Sequence, residues 1–351
     1  MFKPKLEWLL VFVPVALVLE LMHGDPVWIF ATAALAILPL AGLIGHATEE
    51  LALHTGPQIG GLLNATMGNV TEMIIAFFLI LQGELEVVKA SITGSIIGNV
   101  LLVLGLAFVA GGWSRSEQTF NRATANLHTA SLLIAVAALV LPALFHLTPE
   151  ATAFREEAVS VGVSIVLIIT YITGLAFALK THTQLFRSHG HPEDEDEHPK
   201  WSKKKAGAML GAATVGVALM SEFLVGALEP TVEQFGISKL FVGLIIVPIV
   251  GNAAEHSSAV FLAAKNKIDI SIEIAIGSST QIALFIAPVL VFVSLAVGNP
   301  MNLIFTGLEV AAVAFSGVIL GFIVLDGRSN WFEGAQLLAA YIIMAISFFF
   351  L

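Results

Sequence analysis

The chain contains no cysteine. That excludes disulfides, thiolate metal centres and cysteine nucleophiles together, while leaving the redox compartment undecided. Charge is also scarce. Asp, Glu, Lys and Arg make up 12% of the residues, against about 25% in soluble domains. The net charge of −10 is no footprint of a nucleic-acid binder, which needs a basic surface. What is plentiful is apolar: 57% of the 351 residues are hydrophobic and the mean hydropathy is +0.91. Such a chain cannot cover itself with polar side chains, so it places its outside in lipid. The composition reads as a polytopic membrane protein.

A hydrocarbon core about 30 Å thick needs roughly 20 apolar helical residues. Eleven such runs fall near 7–23, 27–45, 59–82, 86–111, 123–146, 153–179, 205–228, 237–264, 268–296, 301–325 and 331–351. The first follows Lys3 and Lys5, like a signal peptide. No small-x-small site follows it, so it reads as a retained span. With eleven spans, alternate connections lie on opposite faces. The N-terminal face collects Lys3, Lys5, Arg115, Arg122, Lys180, Arg187, Lys200, Lys203, Lys204, Lys205, Lys265, Lys267 and Arg328; the other has Lys89, Arg155 and Lys239. The positive-inside bias puts the N-terminus in the cytoplasm and the C-terminus outside. One connection differs in kind. HGHPEDEDEHPKWSKKK, from His189 to Lys205, is polar and charged. It reads as a solvated cytoplasmic hinge or as a metal or pH sensor.

The runs are interrupted by polar motifs. Gly68 to Phe78 reads GNVTEMIIAFF, and Gly251 to Phe261 reads GNAAEHSSAVF. Glu72 and Glu255 lie 183 residues apart, and the same offset aligns Gly94-Ser95 with Gly277-Ser278. Two motifs sharing one gapless offset indicate an internal duplication. The period is five spans. Five is odd, so the copies enter the membrane in opposite directions, with the first span left over. This gives an all-α fold of about eleven transmembrane helices: an N-terminal helix over 1–26, a five-helix repeat over 27–180, an acidic linker over 181–204 and an inverted repeat over 205–351. Inverted repeats are a transporter signature, with the ion site at the repeat interface where helices are interrupted. Gly68, Gly251, Gly94 and Gly277 are candidate helix breaks. Pro248 is another, because it removes a backbone donor.

Asn69 and Glu72 share a helix face, as do Asn252 and Glu255. An ionised carboxylate alone in a membrane is costly. Protonation is one escape, and a dication held between two carboxylates is the other. Two protonated glutamates are neutral, and so are two ionised ones around a dication. If only neutral states can pass through the closed form, a dication exchanges for protons, at least two in this minimal account. The available ligands are oxygens, which suit hard ions. Glu72, Glu255, Asn99, Gln281, Ser95, Ser278 and freed carbonyls could fill a calcium shell. His256 reads as a packed residue beside the site, a proton carrier or a transition-metal ligand.

The paired blocks NATMGNVTEMIIAFF…GSIIGNVLLVLG and PIVGNAAEHSSAVFLA…GSSTQIALFIAP resemble the two alpha repeats of the calcium/proton exchanger family, within the calcium/cation antiporter superfamily. The resemblance covers residues 27 to 351 and extends to an acidic segment in the middle connection. It implies eleven spans, one helix plus two inverted five-helix repeats. It implies that Glu72 and Glu255 are the paired essential carboxylates and that Asn69, Asn99, Asn252 and Gln281 are the site amides. The long N-terminal extension of many plant and fungal members is absent, so the resemblance points to a bacterial cell-membrane protein.

Within predicted spans, Glu222 and Glu309 read as proton relays or as interhelical hydrogen-bond partners. His128 reads as lying near a helix end. His46, Glu49, Glu50 and His54 read as a connection before the third span, a solvated turn or a cation funnel. Glu84, Glu86, Glu150, Glu156, Glu157, Glu229 and Glu233 would concentrate cations at the outer mouth or form ordinary surface. The expected activity is export of Ca2+ in exchange for H+, with Glu72, Glu255, His256 and Glu222 as proton-coupling candidates. Alternatives are a sodium-coupled calcium exchanger and a divalent cation channel. The partner blocks GSIIGN and GSSTQI lack the aspartate that sodium-coupled relatives tend to carry. An inverted repeat within one chain disfavours a channel. An enzyme is disfavoured because Glu255-His256 lacks HExxH spacing and no nucleophile–base pair is present. No prosthetic group is expected. The expected partners are Ca2+ as substrate, H+ and the bilayer, with no nucleic acid; a homo-oligomer is left open.

Overall fold

Helix starts are marked by short polar side chains. Asn121, Thr152, Ser202, Ser238, Thr306 and Asn330 each precede a helix and accept a hydrogen bond from its first turn. They satisfy amide donors that the helix itself leaves free. Thr306 with Glu309 and Asn330 with Glu333 complete capping boxes. Between such signals the apolar runs fold as helix, since a backbone in lipid must satisfy its polar groups internally.

The computed structural model describes residues 6–55, 57–183 and 199–351. Each of the eleven apolar runs falls on helix. A 3-10 turn, Leu6–Val11, leads into Phe12–Leu21, followed by Pro26–Thr55. Pro57–Met67 and Val70–Leu81 flank a turn at Gly68 and Asn69. Leu85–Gly112 is continuous through a π-helical stretch, Gly98–Val103. Arg122–His146, Ala153–Thr181 and Lys203–Gly226 follow. Leu228–Phe235 then bends by 119° into Lys239–Gly251. Asn252 separates that helix from Ala253–Ala264. Ile268–Val297 also contains a π-helical stretch, Ile282–Ile286, as do Ala153–Thr181 at Phe177–Thr181 and Lys239–Gly251 at Val242–Ile246; Gly307–Ile323 and Trp331–Phe349 follow. Among the described residues, seven helices are long and apolar enough to cross a membrane, or eight if the bent pair is one span; Val70–Leu81 and Gly307–Ile323 are shorter apolar helices. The protein is a multi-pass, all-α membrane protein; among the described residues there is one short strand pair, Gln118–Thr119 against Arg328–Ser329.

Burial sorts inner helices from outer ones. In Leu85–Gly112, 83% of the apolar window is buried, against 17% in Ala153–Thr181. Leu85–Gly112 is the most buried of these spans, followed by Pro26–Thr55 and Ile268–Val297 at 61% each. Pro26–Thr55 lies along Lys203–Gly226, and Gly307–Ile323 along Arg122–His146. Connections assigned to one face bond to others on that face. Arg115 Nη1 donates to Ala264 O at 3.2 Å and Arg328 Nη1 to Glu117 Oε2 at 2.9 Å. On the other face, Lys239 Nζ bridges Glu84 Oε1 at 2.7 Å and Glu229 Oε1 at 3.0 Å.

Three sequence expectations are corrected. The second helix does not end near residue 45 but runs to Thr55. His46, Glu49, Glu50 and His54 therefore sit on its last turns, not in a connection. Strong helix formers such as Ala47, Glu49, Glu50, Leu51 and Ala52 carry it beyond its apolar run. Gly94 and Gly277 do not break their helices; each is helical within a continuous span. A glycine in a buried helix is held by packing whatever its intrinsic cost. Pro248 does not break its helix either: it lies inside Lys239–Gly251, just after the π-helical stretch Val242–Ile246. The acidic run in the middle connection, with Arg187, lies outside the described residues.

Candidate ion-binding site

The two interruptions put the glutamates at helix starts. Glu72 lies in the first turn of Val70–Leu81 and Glu255 in the first turn of Ala253–Ala264. A helix N-terminus is the end that favours negative charge. Each carboxylate packs against the other motif's glycine. A Cβ on Gly251 would lie 3.1 Å from Glu72 Cγ and 3.4 Å from its Oε1. A Cβ on Gly68 would lie 3.3 Å from Glu255 Oε1. The glycines thus serve as space for the opposing carboxylate, which the sequence reading of them as weak points in a helix did not include. The two carboxyls are near enough to interact electrostatically.

The amides cross between the halves in the same reciprocal way. Asn69, fully buried, donates through Nδ2 to Gln281 Oε1 at 2.8 Å and accepts at Oδ1 from Ser278 Oγ at 2.8 Å. Asn252, 1% exposed, donates through Nδ2 to Ser95 Oγ at 3.1 Å and to Pro248 O at 3.0 Å. Asn69 and Asn252 share the 183-residue offset, as do Ser278 and Ser95. The Ser278 hydroxyl also lies within reach of the Glu255 carboxyl. His256 Nε2 lies 3.1 Å from Asn99 Oδ1.

Several buried atoms here are orphaned. Both carboxyl oxygens of Glu72 lack a partner in another residue, and Glu255 Oε2, Asn252 Oδ1, Asn99 Nδ2 and Gln281 Nε2 have no partner. Buried polar groups are normally paired. Four of these atoms are acceptor oxygens closed off from solvent, the kind of ligand that suits a hard cation. Among the described residues, no group of three or more His, Cys, Asp or Glu is placed to hold a metal. The donor set is instead two carboxylates among amides and hydroxyls.

Other candidates lie elsewhere. Glu222 is exposed on Lys203–Gly226, so the structure does not bring it to the glutamate pair. Glu309, 2% exposed, accepts from Thr306 N and Oγ1, both at 2.8 Å, and from Thr93 Oγ1 at 3.5 Å. It is a helix cap that also reaches a second helix. Thr280 Oγ1 reaches His128 O at 3.4 Å, one and a half turns into Arg122–His146. The sequence reading did not include the π-helical stretches beside Asn99 and Gln281. Their positions under the repeat offset, Gly98–Val103 and Ile282–Ile286, coincide, but no residue pattern announces a π turn.

The chain is similar to known proteins over nearly its whole length. The family model described as sodium/calcium exchanger protein matches residues 26–180 and 205–350. The Ca(2+)/H(+) antiporter ChaA of Bacillus subtilis is 46% identical over 341 residues, covering 97% of both chains. The Ca(2+)/H(+) antiporter of Aphanothece halophytica is 45% identical over 355 residues, covering 97% of this chain and 95% of that one. The solved structure of native YfkE superposes with a TM-score of 0.86 at 42% identity, covering 99% of this chain and 100% of that one. The paired glutamate motifs thus sit in a chain that belongs to the sodium/calcium exchanger protein family.

Proposed function

We propose that this protein is a secondary antiporter that exports Ca2+ from the cytosol in exchange for H+ by alternating access, with Glu72 and Glu255 taking up the dication and protons in turn. The observation that carries the reading is reciprocal: each glutamate rests on the other motif's glycine, and three of the four carboxyl oxygens are buried without a partner in another residue. The names printed for the relatives at 45 and 46% identity support the choice of ions.

The mechanism follows from desolvation. With both carboxylates ionised and nothing bound, two like charges face each other in a low-dielectric interior, and that state is disfavoured. Calcium, held by Glu72, Glu255 and neighbouring oxygens of Asn69, Asn99, Asn252, Gln281, Ser95 and Ser278, neutralises the pair. Protonation neutralises it equally. Only loaded states then exchange access, so calcium leaves on one side as protons enter from that side. Asn69 and Asn252 hold the opposite half through Ser278, Gln281 and Ser95, which keeps the two glutamates facing one another. His256 positions Asn99. The two segments of the family match support two halves joined by a linker. The same-face hydrogen bonds support the grouping of the connections, and the basic bias supports a cytoplasmic N-terminus and an outer C-terminus.

The test is calcium-45 uptake into proteoliposomes, driven first by a proton gradient and then by a sodium gradient. Proton-driven uptake, abolished by a protonophore and absent in Glu72→Gln or Glu255→Gln of normal folding, is expected. A fixed amide cannot alternate between neutral and charged forms. Uptake driven by sodium alone would move the coupling ion. Uptake that merely ran down the calcium gradient would replace the antiporter by a channel.

A further inference from the structure

The two glutamate-bearing helices are short and jointed at both ends. Each begins at a turn, at Gly68-Asn69 or Asn252, so no continuous helix holds the glutamate end. Each ends at a left-handed residue: Gly83 (φ 77°) after Val70–Leu81 and Asn266 (φ 65°) after Ala253–Ala264. These two positions are also 183 apart. Gly83 N donates to Ile80 O and Asn266 N to Ala263 O, both at 3.0 Å. Ile80 and Ala263 are again offset by 183.

Each of these two carbonyls accepts a second hydrogen bond, from a side-chain amide of the opposite half. Asn299 Nδ2 donates to Ile80 O at 2.8 Å, and Gln118 Nε2 donates to Ala263 O at 3.1 Å. The two donors are not repeat mates, since Asn299 is offset from Ser116 and Gln118 from Met301. Different side chains thus reach equivalent carbonyls. Both connections are built for it. The Gln118 carboxamide fills the space that a Cβ on Gly111 would need, and Gln118 Nε2 also reaches Asn266 Oδ1 at 2.9 Å. In the other connection Met301 N donates to Ser294 Oγ at 2.8 Å and Leu303 N to Ser160 Oγ at 2.9 Å. Ser294 is the repeat mate of Gly111.

We propose that Gln118 and Asn299 are positioning residues for the exchange: from opposite faces, each fixes the far end of the other half's glutamate helix and so sets the separation of Glu72 and Glu255. Eight residues of helix separate Glu72 from Ile80 and Glu255 from Ala263, a rigid arm of about 12 Å. Tilt released at the tied end moves the carboxylate at the jointed end, and sites of this kind tolerate drift of only about 0.5 Å. The second helix has two more ties, Ser271 Oγ to Ala259 O at 2.6 Å and Arg115 Nη1 to Ala264 O at 3.2 Å. Loss of Asn299 is therefore expected to act more strongly than loss of Gln118. The proposal rests on the exchange reading above.

The test compares Asn299→Leu and Gln118→Met, near-isosteric replacements without the amide, in the reconstituted full chain. Initial rates of proton-driven calcium-45 uptake across a calcium series give KM and kcat, with thermal unfolding alongside. KM for calcium is expected to rise about threefold in Gln118→Met and more in Asn299→Leu, with kcat per folded molecule changing less. Asn299→Gln, which keeps the donor, is expected to recover most of the affinity. KM unchanged in both amide-free variants overturns the proposal, whatever happens to kcat. If Leu or Met prevents folding, Asn299→Ser and Gln118→Ser carry the same expectation and the same refutation. Absence of proton-driven uptake by the unsubstituted protein sinks the exchange reading and this proposal together, whereas unchanged KM on an active background sinks the proposal alone.

Discussion

Gly251 and Gly68 each stand where a methyl group would meet a carboxylate. The gap at Gly251 is the tighter, with Glu72 Cγ at 3.1 Å from an added Cβ, so the glutamate would have to yield by a few tenths of an ångström. Gly251→Ala is expected to leave stability within about 1 kcal/mol, because alanine suits the helical backbone there. It is expected to raise KM for calcium by about tenfold, because the displaced carboxylate no longer matches its partner. Calcium-dependent uptake and thermal unfolding on the same preparation check both parts. A change in stability with unaltered KM would mean the glycine serves packing alone. The role is specific to position: Gly83 and Gly98 have nothing within 4 Å of an added Cβ.

At the scale of elements, two glycines that the sequence presents as equivalents do different things. A Cβ on Gly94 would collide with Leu244 O and Pro248, so Leu85–Gly112 meets the Val242–Ile246 stretch backbone to backbone at that point. A Cβ on Gly277 would meet nothing within 4 Å. Gly94→Ala is expected to destabilise by at least about 1–3 kcal/mol through overpacking. Gly277→Ala is expected to be neutral or stabilising by up to about 1 kcal/mol. Paired unfolding curves decide this, and equal losses in both variants would refute the distinction. Another element-scale contact involves the segment after the acidic run. Trp201 N donates to Glu50 Oε2 at 2.9 Å, and His54 Nε2 meets Trp201 O at 2.7 Å. The chain entering Lys203–Gly226 is thereby tied to the end of Pro26–Thr55, the helix it then packs along.

For the whole molecule, the proposed topology places Ser116 and Glu150, at opposite ends of Arg122–His146, on opposite sides of the membrane. The natural absence of cysteine makes this directly testable. A membrane-impermeant thiol reagent applied to intact cells is expected to label Glu150→Cys and to spare Ser116→Cys until the cells are opened. The reverse pattern would invert the orientation, and labelling of both from outside would mean that the helix does not cross. The same topology puts the Gln118 and Asn299 ties on opposite faces, so one is cytoplasmic and the other external.

Composition alone determined the solvent of this protein, because a chain with 12% charge has too little polar surface for water. The apolar runs located the helices, since lipid leaves the backbone no other way to satisfy itself. The repeated GN-x-x-E frame singled out Glu72 and Glu255, because an ionisable side chain in an apolar run is too costly to be incidental. Distances across 200 residues of chain were beyond the sequence. That Asn69 meets Ser278 and Gln281, that Glu222 faces outward, and that Gly94 is a packing surface depend on how helices from the two halves dock. Docking is set by many small contacts that leave no local pattern. Helix ends were misread where good helix formers continued past the apolar run, as at His46 to His54, because hydropathy measures the bilayer and not the helix. The ties from Gln118 and Asn299 were illegible for a further reason. Their acceptors are backbone carbonyls, and every residue has one.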